Sequence, residues 1–223
     1  MTADRPLRLV VLISGRGSNL QALLEGTHNG SLPAQICGVI SNRPEAAGLE
    51  RARQAKVKAL SVDHRAFGER TAFEAALTET IDHFEPQLVL LAGFMRILNP
   101  TFVEHYRGRM LNIHPSLLPK FRGLHTHQRA LAEGETEHGA SVHFVTPELD
   151  GGPVALQARV PILPGDDPDS LAARVLAREQ RIYPLAVRWF AQGRLALNGE
   201  RVTFDGRPLT TPLDLDNMTE EES

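Results

Sequence analysis

Three polar side chains in this chain are of the types that stabilise and return charge during acyl transfer: Asn112, His114 and Asp150. A histidine acts as acid or base near neutral pH. A carboxylate beside it fixes its tautomer and favours its protonated form. An amide N–H aimed at a carbonyl oxygen stabilises a developing oxyanion. No activated nucleophile accompanies them, because there is no Gly-x-Ser-x-Gly elbow and Ser116 lies between Pro115 and Leu117. The set suits direct transfer between two bound substrates rather than a covalent enzyme intermediate. By residue type alone, Asn-x-His serves equally well as a structural pair. Nothing in the spacing brings Asp150 to His114.

The stretch that must place the first two is residues 110–123, Met-Leu-Asn-Ile-His-Pro-Ser-Leu-Leu-Pro-Lys-Phe-Arg-Gly. Leu111 and Ile113 share one parity, Asn112 and His114 the other. Residues two apart in an extended strand point to the same face, so amide and imidazole project side by side. Pro115 lacks an N–H and ends the ladder, which puts the pair at a strand's C-terminal end. In open α/β sheets that is where ligands bind.

Around this stretch, strands alternate with helical segments, which predicts an α/β fold with a mostly parallel twisted sheet and helices on both faces. Residues 9–13 are a continuous apolar run suited to a strand buried on both sides. Ser14-Gly15-Arg16-Gly17-Ser18-Asn19 follows and leads into helical spacing over residues 20–24. A glycine turn between strand and helix lets backbone N–H groups approach an anion. Leu20 stands where a dinucleotide fingerprint has its third glycine, and no Gly-Lys-Ser/Thr makes a Walker loop. Alone, the turn reads either as a phosphate site or as a simple tight turn.

Further strands are predicted at residues 36–41, 58–62 and 87–92, and helices at 46–56 and 70–84. The second of these helices carries Phe73, Leu77, Ile81 and Phe84 on one stripe. After the central stretch come a helix at 126–133 and strands at 139–145 and 154–161, with an acidic glycine loop at 148–153. Asp167 and Pro168 read as N-cap and first helical residue of a long amphipathic segment ending near residue 192, kinked or divided at Pro184. Asn198-Gly199 marks a hairpin between residues 194–197 and 201–204. From Thr210 the chain is polar and acidic, and a poorly ordered tail is expected.

Composition narrows the class. Of 223 residues, 42% are hydrophobic and 23% charged, as in ordinary soluble domains. A net charge of −3 leaves no footprint for nucleic acid or an anionic membrane. No apolar run approaches the roughly 20 residues of a membrane span, and the first residues do not read as a signal peptide. Cys37 is the single cysteine, so an intrachain disulfide and a cysteine-rich metal site are excluded. His125 and His127 lack a third ligand at metal spacing and read as a solvated loop, and His138 shows no ligand pattern either. His143, on an alternating strand, reads either as facing the site or, the more ordinary case, as a hydrogen-bonded structural residue. Phe94, Met95, Ile97 and Leu98, just past a strand's end, suit core or an apolar ligand wall. Glu179 reads by default as a solvated helix charge. These features describe a cytoplasmic α/β protein.

With these residues in place, the chain closely resembles the phosphoribosylglycinamide formyltransferases, folate-dependent transformylases of purine synthesis. The likeness runs from about residue 8 to residue 209. It rests on Gly15-Arg16-Gly17-Ser18-Asn19-Leu20, Leu91-Ala92-Gly93-Phe94-Met95-Arg96-Ile97-Leu98, Leu111-Asn112-Ile113-His114-Pro115-Ser116-Leu117-Leu118-Pro119 and Leu149-Asp150-Gly151-Gly152-Pro153. His125-Thr126-His127 and Glu179-Gln180-Arg181-Ile182-Tyr183-Pro184 strengthen it.

The resemblance implies a Rossmann-like formyltransferase fold: one domain over residues 1–209, a phosphate-binding half at about 8–110, a catalytic and folate-binding half at about 111–209, and a tail at 210–223. It implies that the amine of glycinamide ribonucleotide attacks the formyl carbon of 10-formyltetrahydrofolate, used as co-substrate, with no metal. Asn112 and protonated His114 are then the oxyanion stabilisers, and His114 helps return a proton to the departing folate nitrogen. Asp150 keeps His114 charged and oriented and helps organise a water. The ribonucleotide phosphate is implied on the backbone of Gly17, Ser18 and Asn19, and the ribose hydroxyls on Glu179. Folate is implied along Met95, Arg96, Ile97 and Leu98, with Arg70 near its glutamate end and Asn112, Val145 and Asp150 around its pterin. Arg16 and Leu176 depart from some relatives, the first offering a further phosphate contact and the second removing a polar one. The implied partners are small molecules only, without nucleic acid or membrane, in a monomer or homodimer.

Other readings make different demands. A methionyl-tRNA formyltransferase on the same scaffold calls for a C-terminal tRNA-binding domain and a basic surface, whereas the net charge here is negative. A formyltetrahydrofolate deformylase carries an N-terminal regulatory domain, for which the residues ahead of Leu9 are expected to leave no room. A dinucleotide-dependent dehydrogenase is opposed by the missing third glycine and by Ser41-Asn42-Arg43, where an acidic ribose-binding residue belongs. A non-catalytic nucleotide-binding module would keep the glycine turn yet have no use for Asn112, His114 and Asp150 together.

Overall fold

The first apolar run forms β1 (Leu7–Ile13), whose residues from Leu9 to Ile13 are all fully buried. The computed structural model describes residues 6–218, which gather into two units divided between Leu111 and Asn112.

In the first unit β1 is followed by α1 (Ser18–His28), β2 (Ala34–Ser41), α2 (Ala47–Gln54), β3 (Ala59–Ser61), α3 (Arg70–Asp82), β4 (Leu88–Leu91) and α4 (Pro100–His105). The strands lie in the order β3-β2-β1-β4 and all pairings are parallel. The segments leaving β1 and β4 therefore emerge at the same edge. Ser14 binds them together: its N–H donates to Gly93 O at 3.1 Å, and its hydroxyl accepts from Met95 N at 2.7 Å. The predicted stripe of α3 is its core face, with Phe73, Leu77 and Ile81 buried. Phe84 packs against Gly38, where a Cβ would come within 2.8 Å of its ring. The short α4, N-capped by Asn99 Oδ1 on Phe102 N at 2.7 Å, carries no long periodic pattern and was not anticipated.

The chain passes into the second unit through β5 (Met110–His114), then α5 (Thr126–Ala132), β6 (Glu137–Phe144), β7 (Val154–Pro161) and α6 (Pro168–Ala191). β8 (Leu195–Asn198), β9 (Arg201–Phe204), β10 (Arg207–Pro208) and β11 (Leu213–Asp214) complete it. Strand order here is β5-β6-β7-β11, with β6 antiparallel to β7 and β11 parallel to β7. β8, β9 and β10 form a separate antiparallel sheet around the Asn198-Gly199 turn.

Asp167 caps α6 through Ser170 N at 2.7 Å, with the Ser170 hydroxyl answering on Asp167 N at 3.0 Å. Of the kink or division expected at Pro184, the division is not found: the helix runs through it to Ala191. Ile182, Tyr183, Ala186, Val187 and Trp189 are all fully buried around it. Burial of each large side chain contributes roughly 2 kcal/mol, more in sum than the roughly 3 kcal/mol that an internal proline costs.

The tail also departs from expectation. Residues 213–214 pair with β7, and Asp214 and Asp216 meet Arg159 and Arg178 at 2.8 Å each. Residues 219–223, the end of the expected disordered segment, lie outside the described residues. Among the described residues no helix is long and apolar enough to cross a membrane.

Candidate active site

Alternation in β5 has the predicted effect: Asn112 is half-buried and His114 only 5% exposed, on the face opposite Leu111 and Ile113. His114 Nε2 lies 2.9 Å from Phe121 O. A carbonyl only accepts, so this nitrogen carries a proton. Its Nδ1 faces Asp150 Oδ2 at 3.4 Å. One ring nitrogen thus meets a carbonyl and the other faces a carboxylate. Asp150, with Oδ2 also accepting from Gly123 N at 2.9 Å, is brought to His114 by a left-handed backbone (φ 48°). The glycines after it permit that turn, since a Cβ on Gly152 would fall 1.8 Å from Phe144 O.

His143 is a fourth member. Its Nδ1 donates to Phe144 O at 3.0 Å, so Nε2 presents a lone pair that accepts Asn112 Nδ2–H at 3.0 Å. Nε2 also stands 3.8 Å from Asp150 Oδ1. Burial pushes the His143 pKa down to about 4, so the ring is neutral at physiological pH. Asn112 is thereby held in one amide orientation, with one N–H on His143 and the second able to face a substrate oxygen. Of the two sequence readings of His143, a residue facing the site and a hydrogen-bonded structural one, both hold. Its shared parity with Ser141 on β6 was the available signal.

A buried polar network supports the loop that supplies Phe121 O. Ser141 Oγ donates to Ser116 O at 2.7 Å and accepts from Leu118 N at 3.0 Å. Gln157 Nε2 reaches Leu118 O and Ser141 Oγ at 2.9 Å each. Ser141 and Gln157 were not singled out from the sequence, although each is a polar residue flanked by apolar neighbours in its strand. The loop histidines differ from expectation too. His127 is half-buried and packs edge-on against His138, their ring centroids 5.1 Å apart. Burial lowers both pKa values, that of His138 to about 4. Among the described residues no group of three or more His, Cys, Asp or Glu side chains could hold a metal ion.

Glu179 lies on the stripe of Leu171 and Val175 along α6 and is 6% exposed, not solvated. The i, i+4, i+8 spacing from Leu171 carried that information. Val145 follows the end of β6 and is half-buried.

In the first unit, Gly17 N-caps α1 with φ 72°, and a Cβ there would lie 2.8 Å from Gly48 Cα. Gly48 N donates to Gly15 O at 3.0 Å and Arg51 Nε to Arg16 O at 2.9 Å. In a trans peptide the C=O and the following N–H point in opposite directions. With both carbonyls turned back toward α2, the N–H groups of Arg16 and Gly17 face the other way, beside the N-terminus of α1 with Ser18 and Asn19. This is the geometry of an anion-binding nest.

After β4, Met95 and Ile97 are each 59% exposed, Arg96 lies over the Phe73 ring at 5.9 Å, and Leu98 is buried. The exposed pair forms the apolar surface, while Leu98 belongs to the core beneath it. Arg70, exposed on the first turn of α3, holds Glu74 at 2.9 Å.

The first unit thus presents a glycine turn at a helix N-terminus, and the second an amide, an imidazole and a carboxylate at a strand's end, residue types suited to an enzyme of group transfer. The model of the formyl transferase family matches residues 7–187, and the chain belongs to that family. The phosphoribosylglycinamide formyltransferase of Escherichia coli (strain K12) is 53% identical over 203 residues, covering 91% of this chain and 96% of that protein. That of Haemophilus influenzae is 44% identical over 202 residues, covering 91% and 95%. The structure of the Coxiella burnetii phosphoribosylglycinamide formyltransferase, in complex with CHES, superposes with a TM-score of 0.90 at 54% identity, covering 94% of this chain and 99% of that one.

Proposed function

We propose that this protein transfers the formyl group of 10-formyltetrahydrofolate to the amine of N1-(5-phospho-D-ribosyl)glycinamide, a step of purine synthesis in the cytoplasm. The observation that carries the reading is the cluster of Asn112, His114 and Asp150, which offers two donors and a supporting carboxylate but no nucleophile.

The substrate amine attacks the formyl carbon, a C–N bond forms and the carbonyl electrons move to oxygen. Asn112 Nδ2–H and the protonated Nδ1 of His114 donate to that oxyanion, a stabilisation that exists only once charge has developed. The amine then loses a proton, the folate nitrogen gains one, and its bond to the formyl carbon breaks. Asp150 holds His114 in its charged form through these steps. The chemistry needs no metal.

The nest at Gly17, Ser18 and Asn19 takes the phosphate, and Glu179 accepts from the ribose hydroxyls. Folate runs along Met95, Arg96 and Ile97 with Leu98 behind them. Arg70 lies at its glutamate end, and the backbone from Val145 to Asp150 lies at its pterin. Purified protein incubated with 10-formyltetrahydrofolate, with and without the ribonucleotide, tests this. Tetrahydrofolate release that depends on the ribonucleotide is expected. Release without it means that water is the acceptor and the enzyme is a deformylase.

A further inference from the structure

Glu74 is a carboxylate on a helix surface that the fold has nonetheless buried, with 3% of its side chain exposed. Its Oε1 accepts from Arg70 Nε and from Asn99 N, both at 2.9 Å. Its Oε2 is sealed from solvent and has no hydrogen-bond partner among the described residues. Enclosing a carboxylate costs several kcal/mol, and an apolar residue of similar size commonly serves stability as well or better. The two groups that it binds suggest what it is for. Arg70 is exposed at the start of α3. Asn99 ends the segment that bears Met95 and Ile97 and caps α4. One buried oxygen therefore fixes a cation against the end of an exposed apolar surface. It engages Nε, so the outer face of the guanidinium stays open. Such a surface fits an elongated molecule with a ring system at one part and a carboxylate at the other.

We infer that Glu74 is a positioning residue that sets the Arg70 guanidinium for the glutamate carboxylate of the folate co-substrate. This rests on the reading that folate lies along residues 95–98 with its glutamate end at Arg70. Glu74 acts through Arg70 and touches no substrate.

The test compares Glu74→Ala, Glu74→Gln and Arg70→Ala on 10-formyltetrahydrofolate and on its pteroate analogue, which lacks the glutamate. Glu74→Ala is expected to raise KM for the full co-substrate about tenfold, the size of one charge-assisted contact, with kcat and the ribonucleotide KM little changed. On the pteroate analogue its KM should match that of the unaltered protein. Arg70→Ala should show the same selectivity, and the double variant should be no worse than Arg70→Ala alone. Glu74→Gln keeps the shape and one acceptor oxygen, so it should fall between. It carries the test if the alanine variant does not fold.

Equal losses on both co-substrates, or a lower melting temperature with KM unmoved, would reduce Glu74 to a structural residue and overturn the inference. Selectivity in Arg70→Ala but not in the Glu74 variants would overturn the role of Glu74 alone. No selectivity in Arg70→Ala would overturn the placement of folate as well.

Discussion

The role proposed for Asn112 depends on how His143 holds its amide. The neutral imidazole accepts one amide hydrogen at 3.0 Å and so decides where the other points. Asn112→Ala should lower kcat by roughly 10²–10³, the usual cost of one oxyanion donor, with KM for both substrates nearly unchanged in steady-state assays. A rise in KM with kcat intact would assign Asn112 to binding instead.

The buried histidines also set a pH dependence of stability. His138 is 1% exposed, and burial takes its pKa from 6.5 to about 4. Between those values the unfolded chain binds a proton that the folded chain refuses, so stability is full above pH 6.5 and is lost as pH falls toward 4. The linkage comes to about 2 kcal/mol between pH 7 and pH 5 for one such histidine. Urea midpoints at the two pH values should show it, and His138→Gln should flatten the slope by about that amount. An unchanged slope would rule His138 out as its source.

The turn between β1 and α1 is clamped from behind, by Gly48 on Gly15 and by Arg51 on Arg16. Arg51→Ala should free the Arg16 carbonyl and raise the ribonucleotide KM about fivefold, the scale of one charged hydrogen bond, while the folate KM stays put. Initial rates with each substrate varied in turn separate the two.

At this scale much of the molecule was legible. The period of two in residues 110–114 gave β5 its buried and functional faces, Asn198-Gly199 gave its hairpin, and Asp167-Pro168 gave the start of α6. At Pro184 local propensity favours a break, whereas the helix continues because Ile182, Tyr183, Ala186, Val187 and Trp189 on either side of it are buried, and burial depends on partners that the local sequence does not show. The docking of β11 was illegible for a similar reason. Two residues hold it by pairing with β7, and ion pairs with Arg159 and Arg178 assist, so its polar composition resembled a free tail.

Across the whole chain, what the sequence could not supply was long-range placement. Asn112 and His114 are neighbours in one strand, but Asp150 arrives only through the β6–β7 pairing and a left-handed backbone that no periodicity announces. His143 and Gln157 likewise depend on that pairing. The C-terminal segment makes its contribution at this level too. A chain ending at Leu209 should keep its kcat, since residues 210–218 are held by β7, Arg159 and Arg178, but should melt about 3–5 °C lower for a loss of 1–2 kcal/mol. Thermal melts beside formyl-transfer rates check this. A large fall in kcat would mean that the segment supports the chemistry.

The fixed tautomers around His114 have a consequence for where protons can travel. Phe121 O, on one nitrogen, holds a hydrogen bond but cannot become an acid. His143 has its hydrogen committed to Phe144 O and its lone pair to Asn112. Neither can relay a proton onward, so the His114 ring is insulated on those sides. In the proposed reaction the proton it passes on is the one at Nδ1, the nitrogen that faces Asp150. On the proposed mechanism the ring therefore has a single outlet for a proton, on the side of Asp150.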